Sequence, residues 1–355
     1  MSGTSLDGVD AVIARFKDGQ CSILHSISLP YPDDLRLRVL ALHEDAPGEL
    51  ESALLAGNQL ALVYAQAISK LLAESGIPAA DIQAAGCHGQ TVRHCPDQGY
   101  TLQIGNPALV AELTGVTVIS DFRTRDIAAG GQGAPLVPAF HEAVFSHSEN
   151  NRVIINIGGI ANITFLPIGG KVTGFDTGPG NMLMDAWIRL HLDEPFDKAG
   201  GWAVTGKVIE PLLNQLLTHT FFSEAPPKST GRDLFNLTWL QTYLDPNYAP
   251  ADVQRTLLEF TAKSISAAVH DYCDNADEIY LCGGGAYNDL LVQRLQQLLH
   301  PVRIGPTDDL GIDTRWVEAA AFAWLARQCM HRKPGNLATV TGAAGPRILG
   351  AIYSY

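Results

Sequence analysis

The sequence predicts a two-domain α/β protein, and three features lead to that prediction. The chain has 355 residues, enough for about two domains that each bury a full core. Short apolar segments bounded by Gly, Pro and Asn alternate with longer segments of helical apolar spacing, the pattern of α/β rather than α+β architecture. The pattern restarts near residue 152, after the polar stretch 146–151.

Taken in order, residues 9–16 (VDAVIARF) and 21–29 (CSILHSISL) read as strands joined by a turn at Lys17-Asp18-Gly19. Residues 49–75 place Leu54, Leu60, Val63, Ala67, Ile68 and Leu71 at helical spacing and stop at Gly76 and Pro78. Strands are expected at 82–87, 100–104 and 116–120, with a helix between the last two that has Asn106 as N-cap and Pro107 at its first position. In the second half, strands are expected at 152–157, 161–168, 171–175, 278–282 and 302–304. Helices are expected at 181–192, 206–220, 232–244, 251–273, 288–300 and 315–331. The boundary falls near 140–152, giving domains 1–145 and 146–355, with the C-terminal tail placed to brace the first.

Composition removes several classes. Hydrophobic residues make up 46% and charged residues 17%, which excludes a disordered chain. A net charge of -13 argues against a grip on nucleic acid or an anionic membrane. The six cysteines form no CxxC pair and no zinc spacing, so free thiols are expected. The longest apolar run, 319–326, is far shorter than a membrane span. The opening MSGTSLDGVD has no signal-peptide pattern, so the expected compartment is the cytoplasm.

Four glycine-rich loops at strand or helix ends carry the chemistry. The first is Gly3-Thr4-Ser5-Leu6-Asp7-Gly8-Val9-Asp10. There, small residues admit phosphates to the backbone, hydroxyls add donors, and Asp7 or Asp10 could serve a Mg²⁺ shell. The second, Asn156-Ile157-Gly158-Gly159, is a strand turn able to cover phosphates from another side. The third, Phe175-Asp176-Thr177-Gly178-Pro179-Gly180-Asn181, puts an acid at a strand end before a helix capped by Asn181. The fourth, Gly283-Gly284-Gly285, suits a nucleotide lying against bare backbone. None is a GxxxxGK[ST] loop, so a Walker-type site is not supported.

Each element also has a plainer interpretation. A single glycine loop is often only a tight turn, and Asp176 could cap Thr177. His88 could be a hydrogen-bonded strand-end histidine. Asp121, Arg123, Arg125 and Asp126 could form a local charge cluster, and Glu318 could serve a helix dipole. Four such loops in two similar halves are harder to dismiss.

SGTSLDGVD, GCHGQT, QIGNPALVAELTG, DFRTRDIAAGGQGAPLVPAFH, NIGGIANIT, GFDTGPGNMLMDAW, PKSTGRDLFN, LCGGGAYN and EAAAFAWLA together resemble the anhydro-N-acetylmuramic acid kinase family, from Ser2 through the tail. The resemblance implies an actin/Hsp70/hexokinase-like (ribonuclease-H-like) fold with an interdomain ATP cleft. It also implies conversion of 1,6-anhydro-N-acetylmuramic acid, ATP and water into N-acetylmuramic acid 6-phosphate and ADP, in cell-wall recycling. By resemblance Gly3 to Asp10 is the first phosphate loop, with Asp7 at the metal. Asn156, Gly158 and Gly159 belong to the second loop, and Gly283 to Gly285 to the adenosine side. Asp176 matches the catalytic aspartate and Glu318 an acid of the sugar pocket. His88, Gln90, Arg123 and Asp126 are placed in that pocket by motif position and chemistry, Arg123 suiting the lactyl carboxylate. A homodimer is a further expectation. In the family a short strand precedes SGTSLDG, whereas this sequence opens at Met1 within that motif.

The chemistry follows from the substrate. Opening the 1,6-anhydro bridge needs a nucleophile at C1 and departure of O6. If O6 attacks the γ-phosphate, one carboxylate, Asp176, suffices to deprotonate the water. A plain sugar kinase, an ATP-dependent scaffold and a glycosidase are the competing classes. They are separated by fate of water, by sugar-dependent ADP release and by need for ATP.

Overall fold

The computed structural model describes residues 1–355 except Thr4, Ser5, Asp7, Asp45 and Asp233. The chain forms two compact units, Met1–Val144 with Trp316–Tyr355, and Phe145–Arg315. The expected domain 146–355 is thereby corrected, since residues from Trp316 onward pack as part of the first unit.

In the first unit, strands β1 (Gly8–Lys17) and β2 (Gln20–Pro30) form an antiparallel hairpin. Helices α1 (Asp33–Ala41) and α2 (Glu49–Ser75) follow. Helix α2 ends at Gly76 in the left-handed region, whose N–H closes on Leu72 O, as the sequence predicts. Next come β3 (Ala85–Gly86), β4 (Gln90–Cys95) and β5 (Tyr100–Ile104). Helix α3 (Pro107–Thr114) opens with Asn106 accepting the Leu109 N–H at 3.0 Å. Then come β6 (Val118–Ser120), α4 (Thr124–Ile127) and α5 (Val137–Phe145).

The second unit holds β7 (Arg152–Ile157), β8 (Ile160–Leu166), β9 (Thr173–Pro179), β10 (Glu278–Cys282) and β11 (Arg303–Pro306). They form one sheet ordered β11-β10-β7-β8-β9, with β8 antiparallel to both neighbours and β10 parallel to β7 and β11. Counted within the unit, this is order 3-2-1-4-5 with strand 2 reversed, the ribonuclease-H-like arrangement. Helices α6 (Met182–Leu192), α7 (Glu210–Leu217), α8 (Leu237–Gln241), α9 (Pro250–Tyr272) and α10 (Asp289–Leu298) complete it. The core gathers Ile155, Ile163, Phe175, Phe260 and Ile265 from the sheet and α9, all nearly inaccessible. Two helices are shorter than expected for a visible reason. Ile209 is extended (φ -92, ψ 92), so α7 begins only at Glu210, while the N–H groups of Lys207 and Ile209 are satisfied by the Asp252 and Thr256 side chains. Asn236 caps α8 through the Trp239 N–H, so that helix starts after it rather than at 232.

The chain returns to the first unit with α11 (Val317–Met330), α12 (Ala338–Thr341) and β12 (Ala351–Tyr353). Strand β6 lies between β12, antiparallel, and β3, parallel. The unit thus contains pieces of the same order as the second, with β2-β1 in the places of β9-β8 and β3-β6 in those of β10-β11. Where β7 sits in the second unit, the first has a cavity of about 460 Å³. It is lined by Asp10 to Phe16 of β1, Ala84 to Cys87, and Ala67, Leu71, Ala323 and Arg327 of α2 and α11. Met1 sits at its mouth, exchanging main-chain hydrogen bonds with Asp10 in both directions, 2.7 and 2.9 Å. Burial depresses the pKa of its ammonium group.

Candidate active site

Three of the four glycine loops meet in the second unit at the C-terminal ends of β7, β9 and β10, where open α/β sheets bind ligands. The Gly158-Gly159 turn accepts the N–H groups of Asn181 and Gly180 through its carbonyls, at 2.8 and 2.9 Å. A Cβ on Gly180 would lie 2.2 Å from Gly158 O, so only glycine permits this approach. Gly283 has φ +81, and a Cβ there would lie 2.4 Å from Asn156 Oδ1. The backbone of the fourth loop is thereby bare against the second. Asn181 does not cap α6 with its side chain; its Nδ2 reaches Ile157 O at 3.3 Å and ties the third loop to the second.

Asp176 sits mid-β9, directly opposite Asn162 of β8. Its Oδ2 accepts the Thr230 N–H at 2.9 Å, and its own N–H donates to Lys228 O at 3.2 Å. The segment 228–230 therefore holds the aspartate from backbone and side chain together. Lys228 is fixed in turn, donating to Phe221 O at 2.9 Å over the Phe221 ring, and burial lowers its pKa. Asn162 Oδ1 and Thr230 Oγ1 are buried without a hydrogen-bond partner among the described residues. Buried polar atoms are nearly always paired, so two orphans flanking one carboxylate mark a place for a polar ligand or water.

In the first unit, Thr4, Ser5 and Asp7 lie outside the described residues, so the metal expectation on Asp7 does too. Leu6 is buried with φ 57, a left-handed conformation that costs a leucine about 1–3 kcal/mol. Ser2 donates to Gly89 O at 2.8 Å and meets Tyr64 Oη at 3.0 Å. Gln90 donates to Gly3 O at 3.3 Å and accepts from Tyr31 at 3.0 Å. The carboxylate of Asp10, on β1, accepts from Ser28 Oγ. His88 is buried, with Nδ1 on Ser2 O at 3.1 Å and Nε2 facing Arg123 at 3.0 and 3.2 Å. Burial first, then the Arg123 charge and the chain's amino terminus, hold its pKa well below the histidine norm. The GCHGQT motif thus anchors the first loop.

Asp126 is fully buried, and its three partners are all within the unit: Gly133 N at 2.8 Å, Asn336 Nδ2 at 2.6 Å and Thr341 Oγ1 at 2.8 Å. A carboxylate so engaged braces the 123–133 loop against the tail. Glu318 stands half-buried on the first turn of α11, one helical turn before Phe322, which packs on His88.

The family model described as anhydro-N-acetylmuramic acid kinase matches residues 1–355. This chain belongs to that family. A relative of the same description in Nitrosospira multiformis is 55% identical over 355 residues, covering 99% of this chain and 97% of its own. One in Nitrosomonas europaea is 57% identical, covering 99% and 98%. Among solved structures, component A of the (R)-2-hydroxyglutaryl-CoA dehydratase of Acidaminococcus fermentans is 12% identical with TM-score 0.45, over 90% of this chain and 99% of that one. The fold assignment rests on strand order and not on that likeness.

Sequence reasoning missed Asn162, Thr230 and Lys228 as parts of the site, although the blocks NIGGIANIT and PKSTGRDLFN contain them. The signal available was a polar Asn within an otherwise apolar strand and a Lys-Ser-Thr-Gly run rich in donors. Among the described residues no helix is long and apolar enough to cross a membrane.

Proposed function

We propose that this kinase-family chain transfers the γ-phosphoryl group of ATP to O6 of 1,6-anhydro-N-acetylmuramic acid while water opens the bridge at C1. The products are N-acetylmuramic acid 6-phosphate and ADP, a step of cell-wall recycling. The observation that carries this is Asp176, clamped by residues 228–230 beside the orphan acceptors of Asn162 and Thr230.

Asp176 takes the proton of the attacking water, and the two orphan oxygens orient that water or the sugar hydroxyls. The glycine loops at 158–159 and 283–285 offer N–H groups to ATP where phosphate charge builds, and by motif resemblance the segment from Gly3 to Asp10 is a further phosphate loop. Mg²⁺ bound with ATP would neutralise that charge. The described residues contain no cluster of three acidic, His or Cys groups for it. Asp7 is its proposed carboxylate ligand. Arg123 pairs with the lactyl carboxylate and Glu318 contacts the sugar; both are proposals from motif and chemistry. A cytoplasmic homodimer is likewise part of this proposal.

The test mixes protein, MgATP and the anhydro sugar and examines the products by mass spectrometry. Appearance of the 6-phosphate with one ADP per sugar supports the proposal. ADP release that ignores the sugar, or sugar opening without ATP, overturns it.

A further inference from the structure

We infer that His88 is a positioning residue, which sets the sugar-binding guanidinium of Arg123 and ties it to the first glycine loop without touching the sugar. The inference deepens the proposed function, since it rests on Arg123 receiving the lactyl carboxylate.

The geometry is explicit. His88 Nε2 faces both Nε and Nη2 of Arg123, at 3.2 and 3.0 Å, while Nη1 donates to Gly133 O at 2.7 Å. A guanidinium has only donors, so the facing ring nitrogen must be an unprotonated acceptor. Nδ1 then carries the proton and donates to Ser2 O at 3.1 Å. One tautomer satisfies both contacts, and protonation would place a second cation against the arginine. The ring is held in place by Phe322, 4.7 Å between centroids at 56°. Ser2 is itself fixed by Gly89 O and Tyr64. A rigid path therefore runs from the loop at Ser2 through the ring to Arg123. It presents the guanidinium to its ligand in one orientation, which lowers the entropic cost of binding a carboxylate.

The experiment compares His88→Leu, His88→Gln and Arg123→Ala on the lactyl sugar and on an anhydro-N-acetylglucosamine lacking the lactyl group. Arg123→Ala is expected to raise KM for the lactyl sugar about 10- to 150-fold and to change the other far less. Equal losses on both sugars would overturn the assignment of Arg123 and leave His88 to be judged by NMR. His88→Leu should raise KM for the lactyl sugar about tenfold with kcat nearly unchanged, and add little to Arg123→Ala in the double variant. His88→Gln, which offers one acceptor and an NH₂ donor, should recover most of that loss. If Arg123→Ala discriminates between the sugars while His88→Leu does not, or if the two losses simply add, the positioning role fails.

Should His88→Leu not fold, ¹⁵N-histidine NMR of the wild type and Arg123→Ala decides. The ring is expected as the neutral Nδ1–H tautomer from pH 5 to 8 in the wild type, with its Nε2 resonance shifted when Arg123 is removed. An Nε2–H tautomer, or a ring that protonates near the ordinary histidine value, overturns the inference.

Discussion

Thr230 donates its main-chain N–H to Asp176 Oδ2 at 2.9 Å, and Asp176 returns the contact through its own N–H on Lys228 O at 3.2 Å. A residue held through its main chain and through one carboxylate oxygen has restricted rotamer freedom, which suits a base that must meet one water in one place. The segment 228–230 thus does for Asp176 what a neighbouring strand would do, without being a strand.

The first prediction concerns the base. Asp176→Asn keeps size and an acceptor for Thr230 but cannot take a proton. Turnover should fall at least ~10²-fold with sugar and ATP affinity nearly unchanged. In ¹⁸O-water the wild type should label C1 of the product and leave the phosphate unlabelled. Near-normal turnover of the folded variant removes Asp176 as base, and label in the phosphate removes the coupled mechanism.

The orphan oxygens separate stability from activity. Asn162→Leu removes a buried acceptor that has no partner among the described residues, so stability should change by less than about 1 kcal/mol or improve. If Asn162 orients water or sugar at Asp176, kcat should nonetheless drop about tenfold or more. Denaturant melts beside steady-state kinetics check this; a loss of stability with intact kcat would make Asn162 purely structural.

Asp126 should behave in the opposite way. Asp126→Ala strands the donors Gly133 N, Asn336 Nδ2 and Thr341 Oγ1 and should cost several kcal/mol of stability, about 1–3 kcal/mol for each buried donor left unpaired. The folded fraction should keep a near-normal KM for the sugar. A large KM effect at unchanged melting temperature would instead place Asp126 at the sugar.

Two buried histidines set an acid limit on stability. Burial holds His88 well below its usual pKa and lowers His141 to about 3. Below about pH 6.5 the unfolded chain binds protons that the native rings refuse, so stability falls as pH falls. Each ring contributes a slope of up to about 1.4 kcal/mol per pH unit, for His141 down to its native value. His141→Phe should flatten the slope between pH 6 and 4 in chemical melts; an unchanged slope would mean that His141 titrates normally.

The cavity in the first unit offers a test by addition. The mutual bonds of Met1 and Asp10 form an antiparallel pair, so residues placed ahead of Met1 would run along β1 through the cavity. An extended segment of about six residues with apolar side chains should replace the buried ammonium and raise the melting temperature by more than about 4 °C. The same segment with a central proline should not. Equal melting of both forms would mean that the cavity takes no strand.

Much of this was legible in the residues. Gly76 and Asn106 announced the end of α2 and the start of α3 by local chemistry alone, and the alternation of elements announced α/β. The glycine loops named the ends of strands where a ligand could lie. Other features were not legible because they depend on partners distant in sequence. Strand β4 was missed because Gln90 and Arg93 break its alternation, and its pairing with β5 supplies what local propensity lacks. His88 and Asp126 carried the residue types of a sugar pocket, yet their burial and their partners at Ser2, Asn336 and Thr341 are set by packing.

The sequence by itself determined the class of fold, the family and the chemical groups on offer, because periodicity, caps and motif blocks are properties of neighbouring residues. Only the tertiary structure decided which groups face a ligand and which hold the scaffold. It returned residues 316–355 to the first unit, set Asn162 opposite Asp176, and turned His88 toward Arg123. The physical reason is that a polar side chain's role depends on whether its hydrogen bonds are filled within the protein, and for Asp126 those partners include Thr341, 215 residues away along the chain.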